Sequence, residues 1–281
     1  PYTDYLKKAD TSSSGSETHQ NMLKESIELI KRNMIRDESG TSLGYMASRE
    51  DRDNYRKVFT RDSVWMALAD AMLGKSEGLR GTLDTLILHQ RDDGAIPDNM
   101  DVYDAVKGDS DEVALSFGNY EGSVTRTDPN LLYLVGAAQY YRRLDKAEEK
   151  RVFLDTHLDH MRKAIGFLEQ HSMASNGLLQ VPLAGDWADE YIQVGFVLYN
   201  EVLWYMTLRE WGFVLKEIGK DEESIRYYEW AKNVKDLIRK KFWVLSEEGS
   251  STDAYKKIEN EFGRSGYFMH FFRDGPNGKP D

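Results

Sequence analysis

The chain contains no cysteine in 281 residues. Disulfides, zinc–thiolate centres and cysteine nucleophiles are thereby excluded, while the compartment stays open. Cytoplasmic placement is the working expectation. Cations are also short, with 37 Lys and Arg against 48 Asp and Glu and a formal net charge of -11. Phosphate binding needs a basic surface, so this balance argues against nucleic acid as a partner and suits anionic membranes poorly. Simple solubility is the blander meaning of the charge. No stretch approaches eighteen uninterrupted apolar residues, so no membrane span is expected. The six histidines are scattered, and only His157 and His160 fall three apart on an expected helix. They read as surface or helix-face residues. No H-E-x-x-H and no glycine-rich phosphate loop occur. No metal and no cofactor are expected. The sequence opens on Pro1 rather than Met and shows no secretory signal, which leaves room for a removed segment.

Hydrophobic residues make up 40% and aromatics 12%, with six Trp and sixteen Tyr. A sizeable core is possible, and Trp and Tyr also supply stacking faces with a polar handle. Residues 1–16 are polar and read as a loop; residues 17–281 read as one large domain. From Glu17 the pattern turns helical to about Arg36, with Met22, Leu23, Ile27, Leu29, Ile30 and Met34 as its apolar set. Leu43–Ser48 is a short strand or a loop. Arg61–Leu73 predicts a helix with Trp65, Leu68, Ala69, Met72 and Leu73 inward. Glu77–Gln90 predicts another, with Leu79, Leu83, Leu86 and Ile87 inward. RDDG at Arg91–Gly94 is a turn signal. The polar stretch from there to Arg126 is too long for an ordinary connection, so it is functional or carries structure of its own. Its acids Asp101, Asp104, Asp109, Asp111 and Glu112 miss the EF-hand spacing and read as a solvated loop.

Asp128 before Pro129 signals a helix start, with the helix running to about Arg143. Lys150–His171, Gln193–Ile218 and Glu222–Trp243 complete the set, the last with Ile225, Tyr228, Trp230, Ala231, Val234, Ile238 and Phe242 inward. About seven helices with little strand signal and no fixed-period repeat favour an all-α toroid of helical hairpins.

Three junctions share one design, an acidic and aromatic loop feeding the end of an apolar helix. They are FTRDSVW at Phe59–Trp65, RTDPNLLYL at Arg126–Leu134 and GDWADEYIQVGFVLYNEVLWY at Gly185–Tyr205. Such a junction suits a polar, ring-shaped ligand. Arg61 beside Asp62 offers bidentate hydrogen bonding to vicinal hydroxyls, or else a helix cap and a surface ion pair. Trp187, flanked by Asp186 and Asp189, offers a stacking face, or else a core side chain. Glu201 sits in an apolar run, where it points into a pocket or is a paired buried acid. Asp128 is a proton donor or a plain helix cap.

These motifs resemble those of the (α/α)6-barrel glycosidases of the glucoamylase type. The nearest are the amylo-alpha-1,6-glucosidase domain of glycogen debranching enzymes and the processing-glucosidase/mannosylglycerate-hydrolase group. TRDSVW resembles the W-x-R-D segment, which implies that Arg61 and Asp62 hold hydroxyls of the terminal sugar, with Trp65 beside them. DDGAIPDNM resembles the G-x-I-P-N loop and implies that Asn99 lies near the pocket, Asp98 being an extra residue. SVTRTDPNLLYL resembles the S-V-D-A-S-L-W-F segment and implies Asp128 as general acid, with two more residues after Val124 than the family has. GDWADE resembles the T-W-M-D-A loop. YNEVLWY resembles the I-N-A-L-W-Y helix, with Glu201 one position from the usual acid. The family's catalytic base is a late Glu, and nothing after Trp243 matches it. The resemblance therefore implies an inverting glycoside hydrolase of α-linked glucosides or related α-glycosides. This chain would be the N-terminal portion of its toroid, with the base beyond residue 281. Two alternatives remain: a sucrose- or mannosyl-specific hydrolase on the same barrel, and a non-catalytic helical scaffold that binds carbohydrate or another protein.

Overall fold

The computed structural model describes residues 17–50, 54–107, 112–118, 124–172, 177–188, 193–244 and 267–273. The expected loop over residues 1–16, and Asp109, Asp111 and Asp189, lie outside them. Among the described residues there are eight helices and nine short strands. The helices are α1 (Glu17–Asn33), α2 (Thr60–Met72), α3 (Glu77–Leu88), α4 (Val102–Lys107), α5 (Asp128–Arg143), α6 (Ala147–Ser172), α7 (Leu198–Glu217) and α8 (Asp221–Lys241). None is long and apolar enough to cross a membrane. The chain divides into two compact units, one of residues up to 91, 96–116 and 139–157, the other of residues 92–95, 117–138 and 158 onward.

In the first unit, α1 stops at Asn33 rather than Arg36. Met34–Arg36 leave the helix as strand β1, which pairs antiparallel with β2 (Ser42–Tyr45). The Asp37 carboxylate makes the turn between them by accepting from the amides of Ser39 and Thr41, both at 2.9 Å. Helix α3 lies on β2 at close range. A Cβ at Gly81 would fall 2.0 Å from the Ser42 carbonyl oxygen, so only glycine permits this contact. Leu79, Leu83 and Leu86 of α3 are wholly buried with Tyr45, Met46, Val58 and Val64. Each such side chain contributes about 1.5–3 kcal/mol. The polar stretch after Gly94 does carry structure of its own. Strand β4 (Asn99–Met100) pairs on one side with β3 (Val58–Phe59) and on the other with β5 (Leu115–Ser116). Asp104, expected in a solvated loop, sits on α4 and pairs with Arg56 at 2.6 Å.

The inward face of α2 differs from expectation. Ser63, Val64, Ala67, Leu68, Asp70 and Ala71 are buried, while Trp65, Met72 and Leu73 are exposed. Two inward polar groups set this rotation: Ser63 Oγ accepts from the Tyr45 amide, and Asp70 accepts from the Tyr45 hydroxyl. A stripe counted on apolar residues alone misses them. Met22, Leu23 and Leu29 of α1 are likewise exposed.

In the second unit, α7 and α8 form an antiparallel hairpin across Gly219. Trp204, Leu208, Trp211 and Leu215 are buried from α7, and Tyr227, Ala231, Val234 and Ile238 from α8, whereas Ile225 points outward. The Gly177 carbonyl accepts from two indoles, Trp204 Nε1 at 3.1 Å and Trp230 Nε1 at 2.8 Å. Helix α7 begins at Leu198, not Gln193. Gly195 holds φ +97, and Phe196–Val197 form β6, which pairs with β9 (Phe271–Phe272). The remaining strands, β7 (Trp243–Val244) and β8 (Tyr267–Phe268), pair with each other. The SGYFMHFF segment thus supplies two strand partners.

Candidate functional site

In the second unit, one threonine joins two of the acidic junctions. Thr127 stands just before α5, and both its amide and its hydroxyl reach the Gly185 carbonyl, at 3.0 and 3.3 Å. Its Oγ1 also accepts from Asn200 Nδ2, in the first turn of α7, at 3.1 Å. The next residue at each of these three positions is an acid. Asp128, Asp186 and Glu201 are all wholly buried. The Asp186 carboxylate accepts from the Ala188 amide at 3.0 Å, which folds the loop back on itself. Trp187 is 42% exposed and meets the Tyr199 ring edge-on at 6.3 Å. The core alternative for Trp187 therefore falls away.

Glu201 is no surface acid, and among the described residues it forms no ion pair. Both its oxygens face one donor, the Leu179 amide, at 3.0 and 3.2 Å. Burial pushes its carboxyl well above the ordinary glutamate range; the Leu179 hydrogen bond and the Lys241 charge oppose that without cancelling it.

In the first unit, the β3–β4 pairing brings the TRD segment beside the AIPDN loop. The Thr60 amide donates to the Asp98 carbonyl at 2.8 Å and its hydroxyl to the Pro97 carbonyl at 2.5 Å. The Arg61 guanidinium lies 3.7 Å from Asp98, which is buried. Asn99 Nδ2 donates to the other Asp98 oxygen at 3.1 Å. Burial pushes the Asp62 carboxyl up; the Arg61 charge opposes it and the Asp98 charge adds to it. The cap position of α2 is Phe59, with no side-chain capping bond, and Asp62 lies in the first turn. Trp65, one turn along α2, is 43% exposed.

Two features run against sequence reading. His157 is no surface residue: it is wholly buried, its ring stacks on Phe153 at 4.2 Å, and Nε2 lies 2.8 Å from Asp84. Burial pushes the Asp84 carboxyl up, but hydrogen bonds to His157 and Arg80 outweigh that and hold it below the ordinary range. The partner lies far away in sequence, and no local pattern announces it. The run GTSLG at Gly40–Gly44 matches the G-x-S-x-G nucleophile pattern by residue type alone. Ser42 is buried at the start of an antiparallel strand, not on an exposed strand-to-helix elbow.

No protein-family model matches the chain, and no curated protein matches it. Solved structures do. A rhamnosidase from Klebsiella oxytoca with rhamnose bound is 15% identical at a TM-score of 0.51, over 68% of this chain and 34% of that one. The Lin0763 protein from Listeria innocua is 15% identical at a TM-score of 0.40, over 73% of this chain and 56% of that one. The chain thus spans about a third of the rhamnosidase's length. At this identity the likeness is one of fold, and it places the chain in the all-α, α/α-toroid class that its helical pattern predicts.

Proposed function

We propose that the chain is the N-terminal part of an inverting glycoside hydrolase acting on α-linked glucosides or related α-glycosides. Asp128 is its general acid and carbohydrate its partner. The observation that carries this reading is the Thr127 junction. It ties three buried acids, each at a helix start or in the connecting loop, to one exposed tryptophan. Glycoside hydrolysis needs a carboxylic acid to protonate the leaving oxygen and a second carboxyl to activate water, about 6.5–9.5 Å away in the inverting geometry. Burial is the physical means of keeping such an acid protonated. Asp128 takes the donor role from the resemblance, and Glu201 adds a second buried carboxyl at the same junction. The water-activating base lies beyond residue 281. Trp187 stacks on a sugar face, with Asp186 and Asp189 as hydroxyl acceptors. Arg61, Asp62, Trp65 and Asn99 take sugar hydroxyls and rings, as the resemblance implies. The glucoamylase and debranching-type affinity, and a cytoplasmic location, belong to this proposal.

A non-catalytic scaffold is the second reading. The capture of Glu201 by the Leu179 amide favours it, because an acid so held is a structural anchor. The two are separated by proton NMR of the protein that carries this chain. It is incubated with α-glucosides, sucrose, mannosylglycerate and a rhamnoside, and the anomeric signal of the first product is followed. Release with inverted configuration, abolished in Asp128→Asn, is the expected result. Near-parental turnover by Asp128→Asn removes the assignment of the acid. Binding with no release from any of these glycosides moves the weight to the scaffold.

A further inference from the structure

Asp98 is the residue by which the AIPDN loop departs from the G-x-I-P-N pattern, and no role falls to it in the proposed reaction. Its backbone is held from two sides. The Asp98 amide donates to the Ser116 carbonyl at 2.7 Å, and the Asp98 carbonyl accepts from the Thr60 amide at 2.8 Å. Its side chain is 3% exposed. A carboxylate buried to this degree is costly unless donors or a cation answer it. Asn99 Nδ2 donates to Oδ2 at 3.1 Å, and the Arg61 guanidinium stands 3.7 Å from Oδ1.

This arrangement sets the charge that Arg61 shows to a ligand. A guanidinium is always charged, and its planar fork matches a carboxylate or a phosphate. Here the Arg61 side chain, 21% exposed, lies between two acids: Asp62 beside it in sequence and Asp98 across the β3–β4 pairing. The Asp98 charge is felt at this range, since it adds to the upward push on the Asp62 carboxyl. A separation of 3.7 Å is an ion pair but exceeds a hydrogen bond. Asp98 therefore balances the charge of Arg61 without itself hydrogen-bonding the guanidinium. A donor group so balanced suits the hydroxyls of an uncharged sugar. An anionic ligand would gain little from Arg61 and would meet the repulsion of Asp98.

We propose that Asp98 is a specificity-determining residue, which through Arg61 opens this end of α2 to uncharged sugars and turns away anionic ones such as uronates. The inference rests on the proposed reading of Arg61 as a hydroxyl-binding side chain and adds to it the charge of the substrate.

Isothermal titration calorimetry at millimolar sugar tests it on the protein that carries this chain, with methyl α-glucoside and methyl α-glucuronide as probes. These differ by a carboxylate in place of a hydroxymethyl group. The parent is expected to bind the glucoside about tenfold or more tighter than the glucuronide. Asp98→Asn keeps an oxygen for Asn99 Nδ2 and removes only the charge. It is expected to gain about tenfold or more in affinity for the glucuronide, and adding Arg61→Gln to it abolishes the gain. A merely structural Asp98 gives no such gain, because a loosened loop weakens both probes together. Where Asp98→Asn does not fold, Asp98→Ser carries the same test. Three results overturn the proposal: equal affinity of the parent for the two probes, no gain for the glucuronide in a folded Asp98 variant, or no heat from either probe in the parent and the variants. Turnover does not enter these measurements. Glycoside release without the gain removes the role of Asp98 and spares the hydrolase, whereas the gain without any release removes the hydrolase and spares Asp98.

Discussion

Glu201 is a glutamate whose proton is set by burial rather than by a charged partner. In an unfolded chain it ionises near pH 4.5; in the folded chain it does so well above that. Between the two values the folded state holds one more proton than the unfolded state. The contribution of Glu201 to stability is therefore fully present below about pH 4.5 and is lost as pH rises through the window. Glu201→Gln keeps an oxygen for the Leu179 amide and removes the titration. The variant is expected to be at least as stable as the parent at pH 7, with a flatter pH dependence above about 4.5, read from urea midpoints at a series of pH values. A Gln variant about 2 kcal/mol less stable at pH 7 would mean that Glu201 is charged and compensated there. The sequence made this residue conspicuous, since a lone acid in VLYNEVLWY has no surface explanation. It gave no sign of the acceptor geometry, because the Leu179 amide belongs to a different segment. His157 was hidden for the same reason: its partner Asp84 is 73 positions away.

Elements in this chain are fixed by close approaches as much as by apolar stripes. At Gly81, alanine gains about 1 kcal/mol of helix propensity. Against that, its Cβ would fall 2.0 Å from the backbone oxygen of Ser42, which cannot rotate away. Overpacking of this kind costs about 1–3 kcal/mol, occasionally more, so Gly81→Ala is expected to lose about 2 kcal/mol in urea unfolding. A gain in stability would show that α3 slides freely on β2. The Thr127 junction is the second such device. Thr127→Val keeps the amide bond to Gly185 and loses both hydroxyl bonds, at a cost of about 1–3 kcal/mol. Under the hydrolase reading it also lowers kcat by about tenfold or more with little change in KM, because the acid is displaced. An unchanged kcat would separate the junction from catalysis. The helices were legible from their period, most clearly α3, whose four expected inward residues are all buried. The strands were not, because segments of two to four residues carry no readable alternation. The first residues of the expected Gln193 helix went to β6 because that strand has a partner far along the chain, in Phe271–Phe272.

For the molecule as a whole, the charge of -11 and a pI near 5.1 govern behaviour in solution. Self-repulsion keeps the chain dispersed at neutral pH and vanishes near the pI. Turbidity is expected to peak near pH 5 and to clear on either side, as a light-scattering titration would show; a flat profile would mean that the exposed apolar side chains, not the charge, control association. Fold class was legible at this scale because helix after helix announced itself. The order of the acidic junctions was legible too. What joined them was not, since the Thr127 bonds cross 58 and 73 positions of chain. The two indoles that share the Gly177 carbonyl have an optical consequence. Trp204 and Trp230 stand at right angles with ring centroids 5.2 Å apart, and Trp204 is wholly buried. They form a coupled pair of chromophores whose emission reports the seam between α7 and α8. Trp187 and Trp65, each exposed in its own unit, are open to a collisional quencher that cannot reach Trp204. The protein therefore carries two separable fluorescent signals without any label, one that follows opening of its hairpin and one that follows whatever settles on its surface rings.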